Sequence, residues 1–170
     1  MSVVATEAGL ADQVYTAFLR GDDSANEKQA ELNNVRVIQA VYDAFLQGDV
    51  EAVLAALDDD IDWHIAGPAG IPFAGQCRGK SEVRLALQKA FATVKNQQPR
   101  IHDVIAQGDL VTVIGHERGQ CTANDNDYET YWIHVFTVND GKITRFREYL
   151  DTAALTDAFV ASKKLSSSHS

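Results

Sequence analysis

The sequence predicts an α+β fold in which helices cover the concave face of a curved antiparallel sheet, and three observations lead there. Apolar residues recur at helical spacing as far as Lys95, the pattern turns to strict alternation after Pro99, and the alternating runs are separated by short polar connectors. Helices followed by strands must bury their apolar stripes on one face of the sheet. The chain has 170 residues, 45% hydrophobic and 23% charged, enough for one domain with its own core.

The elements follow in order. Leu10, Val14 and Phe18 share one helical face, as do Val35, Ile38, Val41 or Tyr42, and Phe45, and Gly21 and Gly48 close the two stretches. The stretches also echo each other, since Val14 to Asp22 and Val41 to Asp49 agree at seven of nine positions. The reading is two similar helices joined by a polar link from Asp22 to Asn34. Asp49 is placed to cap a short helix carrying Val50, Val53, Leu54 and Leu57 and ending in Asp58-Asp59-Asp60. Ile61 to Ile65 alternates as a half-buried strand, Gly67 to Pro72 breaks it, and a loop runs to Gly79.

Val83, Leu87, Phe91 and Val94 then define a helix over Ser81 to Lys95. Strands are expected at about 100–106, 110–121, 128–138 and 142–150, the last two joined by Asn139-Asp140-Gly141, a strong hairpin signal. Gly115 and Gly119 mark the place for a bend or bulge in the second of these strands. A final helix runs from Asp151-Thr152 to about Ala161, with Asp151 as its cap. The resulting plan is an N-terminal extension with one helix over 1–33, a cone-shaped α+β domain over 34–161, and a flexible tail over 162–170. A bent sheet with helices over its hollow leaves a cavity, the natural place for a small ligand.

Fifteen Lys and Arg against 24 Asp and Glu give a net charge of −9, which argues against nucleic-acid and anionic-membrane partners. No window reaches the roughly 18 apolar residues of a membrane span, and no secretory pattern is visible, so the expected address is the cytoplasm. Cys77 and Cys121 form no C-x-x-C motif, and the histidines show no metal-ligand spacing, so no metal is expected. No G-x-S-x-G, phosphate-binding or dinucleotide-binding glycine motif occurs, and no cofactor is expected.

The words Gly48-Asp49, Asp60-Ile61-Asp62-Trp63, Pro72-Phe73-Ala74-Gly75, Arg78-Gly79, Trp132 to Phe136, Asp140 to Ile143 and Phe146 to Thr152, in this order, closely resemble the SnoaL-like group. That group belongs to the nuclear transport factor 2-like superfamily, whose fold is a cystatin-like α+β cone. The resemblance covers about residues 34 to 160. It implies a small-molecule cone, used in that superfamily by ketosteroid isomerases, polyketide cyclases, limonene-type epoxide hydrolases, dehydratases and non-catalytic binding modules. It also implies pairing of two copies through the outer sheet face. By the same comparison Val41 stands at the oxyanion tyrosine of ketosteroid isomerases, Ile65 at their base and His134 at their oxyanion aspartate, so ordinary ketosteroid isomerisation is disfavoured. Limonene-type hydrolysis is disfavoured too, for want of an Arg-x-Asp on the central strands.

Alternation turns the resemblance into a face assignment. If His134 points into the cone, so do Trp132 and Phe136, and on the next strand Phe146, Glu148 and Leu150. His134 and Glu148 then form a pair suited to acid–base work, or a structural pair satisfying two buried polar groups. In the strand 110–121 the preferred register turns Ile114, His116 and Arg118 inward; the other turns Gly115, Glu117 and Gly119 inward. Trp63 walls the cavity or is plain core, and Tyr42 has a polar tip able to reach it. The loop from Ala66 to Gly79 is a candidate mouth.

These readings combine into a cofactor-independent enzyme of isomerase, cyclase or dehydratase type acting on a small apolar carbonyl compound. His134 serves as acid or base and Glu148 orients it. Trp63, Trp132, His116, Arg118, Tyr42 and Phe146 bind substrate, with Arg118 or His116 holding enolate charge. The competing reading is a non-catalytic binding or interaction module that uses the same cone.

Overall fold

The first described helix, α1 (Ala25–Leu46), covers part of the stretch expected as a polar link, where Glu27 to Glu31 are good helix formers. The computed structural model describes residues 25–160, so the expected helix around Val14 and the Ser-rich end lie outside the described residues. Tertiary contacts hold this stretch in place. Glu31 accepts the Gly108 backbone N–H at 3.0 Å, and Asn34 donates to the Gly108 carbonyl at 3.0 Å, which fastens α1 to a sheet hairpin. Gly48, at φ +69°, ends the helix, with Asp49 N–H returning to the Ala44 carbonyl at 2.9 Å. Asp49 then caps α2 (Val50–Ala56) by accepting the Ala52 N–H at 3.0 Å.

Leu57 caps the C-terminus of that helix, its backbone N–H donating to the Leu54 carbonyl, rather than lying within it. It is the fully buried first residue of β1 (Leu57–Ile65), so the three aspartates lie in the strand, where the pairing register slips between Leu57 and Asp62. The remaining elements are β2 (Gly75–Arg78), α3 (Gly79–Thr93), β3 (Val94–Gln107), β4 (Leu110–Cys121), β5 (Asp127–Asn139), β6 (Lys142–Leu150) and α4 (Thr152–Val160). The short β2 and the early start of β3 had no clear alternation to announce them. Asp151 accepts the Ala153 N–H at 3.2 Å, the capping role expected of it. Asp140 and Gly141 both have positive φ, 48° and 74°, the signature of the two-residue turn that matches sheet twist.

Among the described residues six strands form one sheet in the order β2-β1-β6-β5-β4-β3, with β1 and β6 parallel and all other neighbours antiparallel. The expected distortion near the two glycines falls on the partner strand. The β4–β5 ladder is regular, while β3 slips between Lys95 and Gln98 and again between Ile101 and Asp103, opposite Gly119 and Gly115. Large rings explain why glycine stands there. A Cβ at Gly115 would lie 2.5 Å from the Trp132 ring, and one at Gly119 2.6 Å from the Tyr128 hydroxyl oxygen. The helices α1, α2 and α3 bury Val35, Ile38, Val41, Val53, Leu54, Val83 and Leu87 over the resulting hollow, against Trp63, Val113, Phe136 and Phe146 of the sheet.

The parallel β1–β6 join carries a polar clasp. Arg147 donates to the Asp62 carboxylate at 2.5 Å, to the Asp62 carbonyl at 2.9 Å and to the Phe146 carbonyl at 2.8 Å, and its side chain is 14% exposed. The hydrogen bond from Arg147 holds the Asp62 carboxyl below its ordinary range. A carboxyl depressed in the folded state stabilises the protein above its unfolded pKa, near 3.9, and that contribution fades as pH falls below it. Arg147→Met is therefore expected to cost about 1.5–3 kcal/mol at pH 7 in chemical denaturation. The difference between the two proteins should shrink below about pH 4, where the wild type loses the same contribution.

Candidate functional site

Under the helices the sheet encloses a cavity of ≈ 120 Å³, walled mostly by apolar side chains. Val41, Tyr42 and Phe45 reach it from α1, Ala86, Leu87 and Ala90 from α3, and Trp63 and Ile65 from β1. The β5 side contributes Thr130, Trp132, His134 and Phe136, and β6 contributes Phe146, Glu148 and Leu150. A cavity of about 150 Å³ accommodates benzene, so the space suits a ligand of one ring or less.

His134 and Glu148 face each other directly in the β5–β6 register. The imidazole is held on three sides. Trp132 stacks on it with centroids 4.2 Å apart and planes 17° apart, Phe146 meets it edge-on at 5.3 Å, and the Tyr42 hydroxyl lies 2.7 Å from Nδ1. Burial, reinforced by the charge of Glu148, pushes the Tyr42 phenol well above its ordinary value, so the phenol keeps its proton. Where that phenol donates to Nδ1, the neutral ring carries its proton on Nε2; in the other tautomer the phenol oxygen accepts from Nδ1–H. Nε2 is 3.4 Å from Glu148 Oε1, within ion-pair range for a protonated ring but outside hydrogen-bond alignment, and it has no hydrogen-bond partner among the described residues. A buried donor without a partner costs roughly 1–3 kcal/mol, and a ligand oxygen would relieve that cost. Trp63 Nε1 is a second buried polar atom without a partner among the described residues, on a ring whose centroid lies 3.9 Å from that of Phe146.

Of the residues expected to line the site, Tyr42, Trp63, Trp132, His134, Phe146 and Glu148 converge on this cavity. His116 and Arg118 do not. The preferred register of the strand 110–121 is overturned: Gly115, Glu117 and Gly119 face inward, because the Trp132 and Tyr128 rings need the space that glycine leaves. His116 stands on the outer face beside His102 at 2.7 Å and the Tyr131 ring at 5.5 Å, while Arg118 pairs with Glu129 at 3.2 Å. Neither can hold an enolate in the cone.

The same register brings in Glu117, which the preferred reading placed outside. It accepts the Tyr128 hydroxyl at 2.7 Å and lies 3.3 and 3.4 Å from the Gln97 amide nitrogen, and desolvation raises its carboxyl above the ordinary range. One signal in the sequence could have found it. Bulky rings at Tyr128 and Trp132 on one strand call for small residues opposite, and Gly119 and Gly115 fix the parity that turns Glu117 inward.

Comparison with known proteins agrees with this architecture. The model of the SnoaL-like domain family matches residues 38–146. The monooxygenase AacuO of Aspergillus aculeatus is 37% identical over 82 residues, which are 47% of this chain and 51% of that protein. The match thus spans about half the length of that relative. Among solved structures, an NTF2-like protein from Burkholderia xenovorans LB400 is 33% identical with a TM-score of 0.68, covering 76% of this chain and 97% of that one. TerC, co-crystallised with polyporic acid, is 23% identical with a TM-score of 0.67, covering 76% of this chain and 99% of that one.

Proposed function

Since the chain belongs to the SnoaL-like family, we propose that it is a cofactor-independent enzyme that removes a proton beside the carbonyl of a small, mostly apolar compound, as an isomerase, cyclase or dehydratase does. The observation that carries this reading is the unpartnered His134 Nε2 beside the Glu148 carboxylate, with Tyr42 bonded to the opposite ring nitrogen. The proposed roles differ from those expected from sequence. With Nδ1 occupied, His134 donates from Nε2 to the substrate carbonyl, and Glu148 takes the proton from the adjacent carbon. The enolate oxygen stays hydrogen-bonded to Nε2–H. Glu148 then returns the proton at another carbon, or the enolate carbon attacks a second carbonyl of the same molecule, whose oxygen takes the proton back from Glu148. Trp63 and Phe146 wall the place of the substrate.

AacuO is named a monooxygenase and TerC was crystallised with polyporic acid. Both names agree with a pocket for small organic molecules, and enolate formation is compatible with several later steps. The competing reading, a binding module, is favoured by the cavity's ≈ 120 Å³, below the ~300–1,000 Å³ common for ligand sites. The two readings separate in heavy water. Incubated with cyclohexanone or acetophenone, the wild type is expected to speed exchange of the α-hydrogens for deuterium, followed by NMR, and His134→Ala to lose most of that rate. Saturable binding of these ketones with exchange no faster than in buffer would favour the binding module.

We also propose a homodimer through the outer sheet face, where Ile105, Leu110, Tyr131, Ile133 and Tyr149 are exposed together. Apolar patches of this kind mark protein interfaces. Light scattering at micromolar concentration should give twice the chain mass, and Ile133→Asp should return it to one chain. A wild type of single-chain mass contradicts the pairing.

A further inference from the structure

Two residues of the cavity wall carry a buried nitrogen with no hydrogen-bond partner among the described residues, His134 at Nε2 and Trp63 at Nε1. The first belongs to the carbonyl site already described. The second has no hydrogen-bonding part in it, and its chemistry leaves no choice of role, because an indole nitrogen only donates. The polar residues of the wall are Tyr42, Gln97, Glu117, Thr130, His134 and Glu148, and none of them accepts from Nε1. Trp63 is 7% exposed, so bulk water does not serve the N–H either, although a buried indole usually finds a partner.

The sheet register sets Trp63 across the cavity from His134. Ile65 pairs with Glu148 and Glu148 with His134, so Trp63 stands two strands across and two residues back, roughly 9–10 Å by roughly 6–7 Å. Phe146 lies between the two, its ring centroid 3.9 Å from that of Trp63 and 5.3 Å from that of His134. The floor from one unpaired nitrogen to the other is therefore aromatic and suits a single ring.

Resting on the reading of the cavity as a small-carbonyl site, we infer that Trp63 determines specificity by donating its Nε1–H to a second oxygen of the ligand, whose reacting carbonyl is on His134. The substrate class is then a one-ring compound with oxygen at both ends. The second oxygen is a neutral acceptor such as another carbonyl, since no arginine or lysine lines this cavity to hold a carboxylate. A ligand with one oxygen leaves the indole N–H as unpaired as it is in the empty cavity, and that difference is what selects against it.

Cyclohexane-1,4-dione and cyclohexanone differ only in the second oxygen, which in the dione can only accept. The chain has two tryptophans, both on the cavity wall, so quenching of their fluorescence reports binding and NMR shows two indole N–H signals. The wild type is expected to bind the dione about tenfold more tightly than cyclohexanone, the worth of one hydrogen bond to a buried donor that otherwise has none. The Trp63 N–H signal should move downfield with the dione and much less with cyclohexanone. Trp63→Phe keeps a flat ring without the N–H and leaves Trp132 to report binding, and in it the ratio of the two affinities should fall to about one. The N–H signal is followed in the wild type, assigned through the backbone, so that arm does not depend on the variant folding. Equal affinity of the wild type for the two ketones, a dione that binds without moving the Trp63 signal, or a preference that survives in Trp63→Phe overturns this inference and leaves the carbonyl site standing. Binding of neither ketone contradicts the carbonyl reading itself, and this inference with it.

Discussion

Replacing Glu148 by Gln is expected to lower the rate of α-hydrogen exchange on a bound ketone by about 10²–10⁴, the usual worth of a positioned general base. Gln has nearly the same size and can still stand beside His134, so the fold and the affinity for ketone should change little. What is lost is a lone pair basic enough to take a carbon-bound proton. The split between rate and affinity identifies the role, because a residue that only binds would raise the Michaelis constant and leave turnover unchanged. Tyr42→Phe should have a smaller effect in the same direction. It removes the hydroxyl 2.7 Å from Nδ1 and with it the preference for the Nε2–H tautomer, so it acts through His134. Exchange retained at full rate in Glu148→Gln would place the base elsewhere.

Gly115→Ala is expected to cost about 3 kcal/mol, at the upper end for overpacking, and to lower the melting temperature by about 6–12 °C. The added Cβ would come within 2.5 Å of both the Arg100 carbonyl oxygen and the Trp132 ring. The carbonyl belongs to the paired strand and cannot turn aside. The indole could move only by leaving its stack on His134, so the variant should also lose ketone binding. Gly70→Ala is a fitting control, since its Cβ would meet only the Thr156 methyl at 3.5 Å, and its melting temperature should stay near that of the wild type. Equal stability of the two variants would contradict the role given to Gly115.

The parts of the fold that could be read from sequence are those with a strong local period. β4 and β6 begin and end where alternation places them, and Asp49 and Asp151 cap the helices that follow them. The short β2 has only four residues, too few for a pattern, and is held by its pairing with β1. Leu57 suited both the helix before it and the strand after it, and its burial in the core decided for the strand. In the candidate site, His134, Trp132, Phe146 and Glu148 were legible because β5 alternates throughout and β6 alternates from Arg145 to Leu150, the register slip between Thr137 and Val138 lying beyond them toward the hairpin. His116 and Arg118 were misplaced because alternation within one strand does not say which face is which. That choice is made across strands, by Trp132 and Tyr128 fitting over Gly115 and Gly119. Glu117 went with them, and the Tyr42 contact with His134 joins positions 92 residues apart, beyond any local pattern.

The central claim is that this cavity holds a small carbonyl compound with its oxygen on His134. A crystal structure of the protein with cyclohexane-1,4-dione tests it most directly. The expected result is one carbonyl oxygen within hydrogen-bond distance of His134 Nε2, the adjacent carbon beside the Glu148 carboxylate, and the ring between Trp63 and Trp132. A cavity closed by its own side chains at saturating dione, or a dione bound with neither oxygen near Nε2, would contradict it.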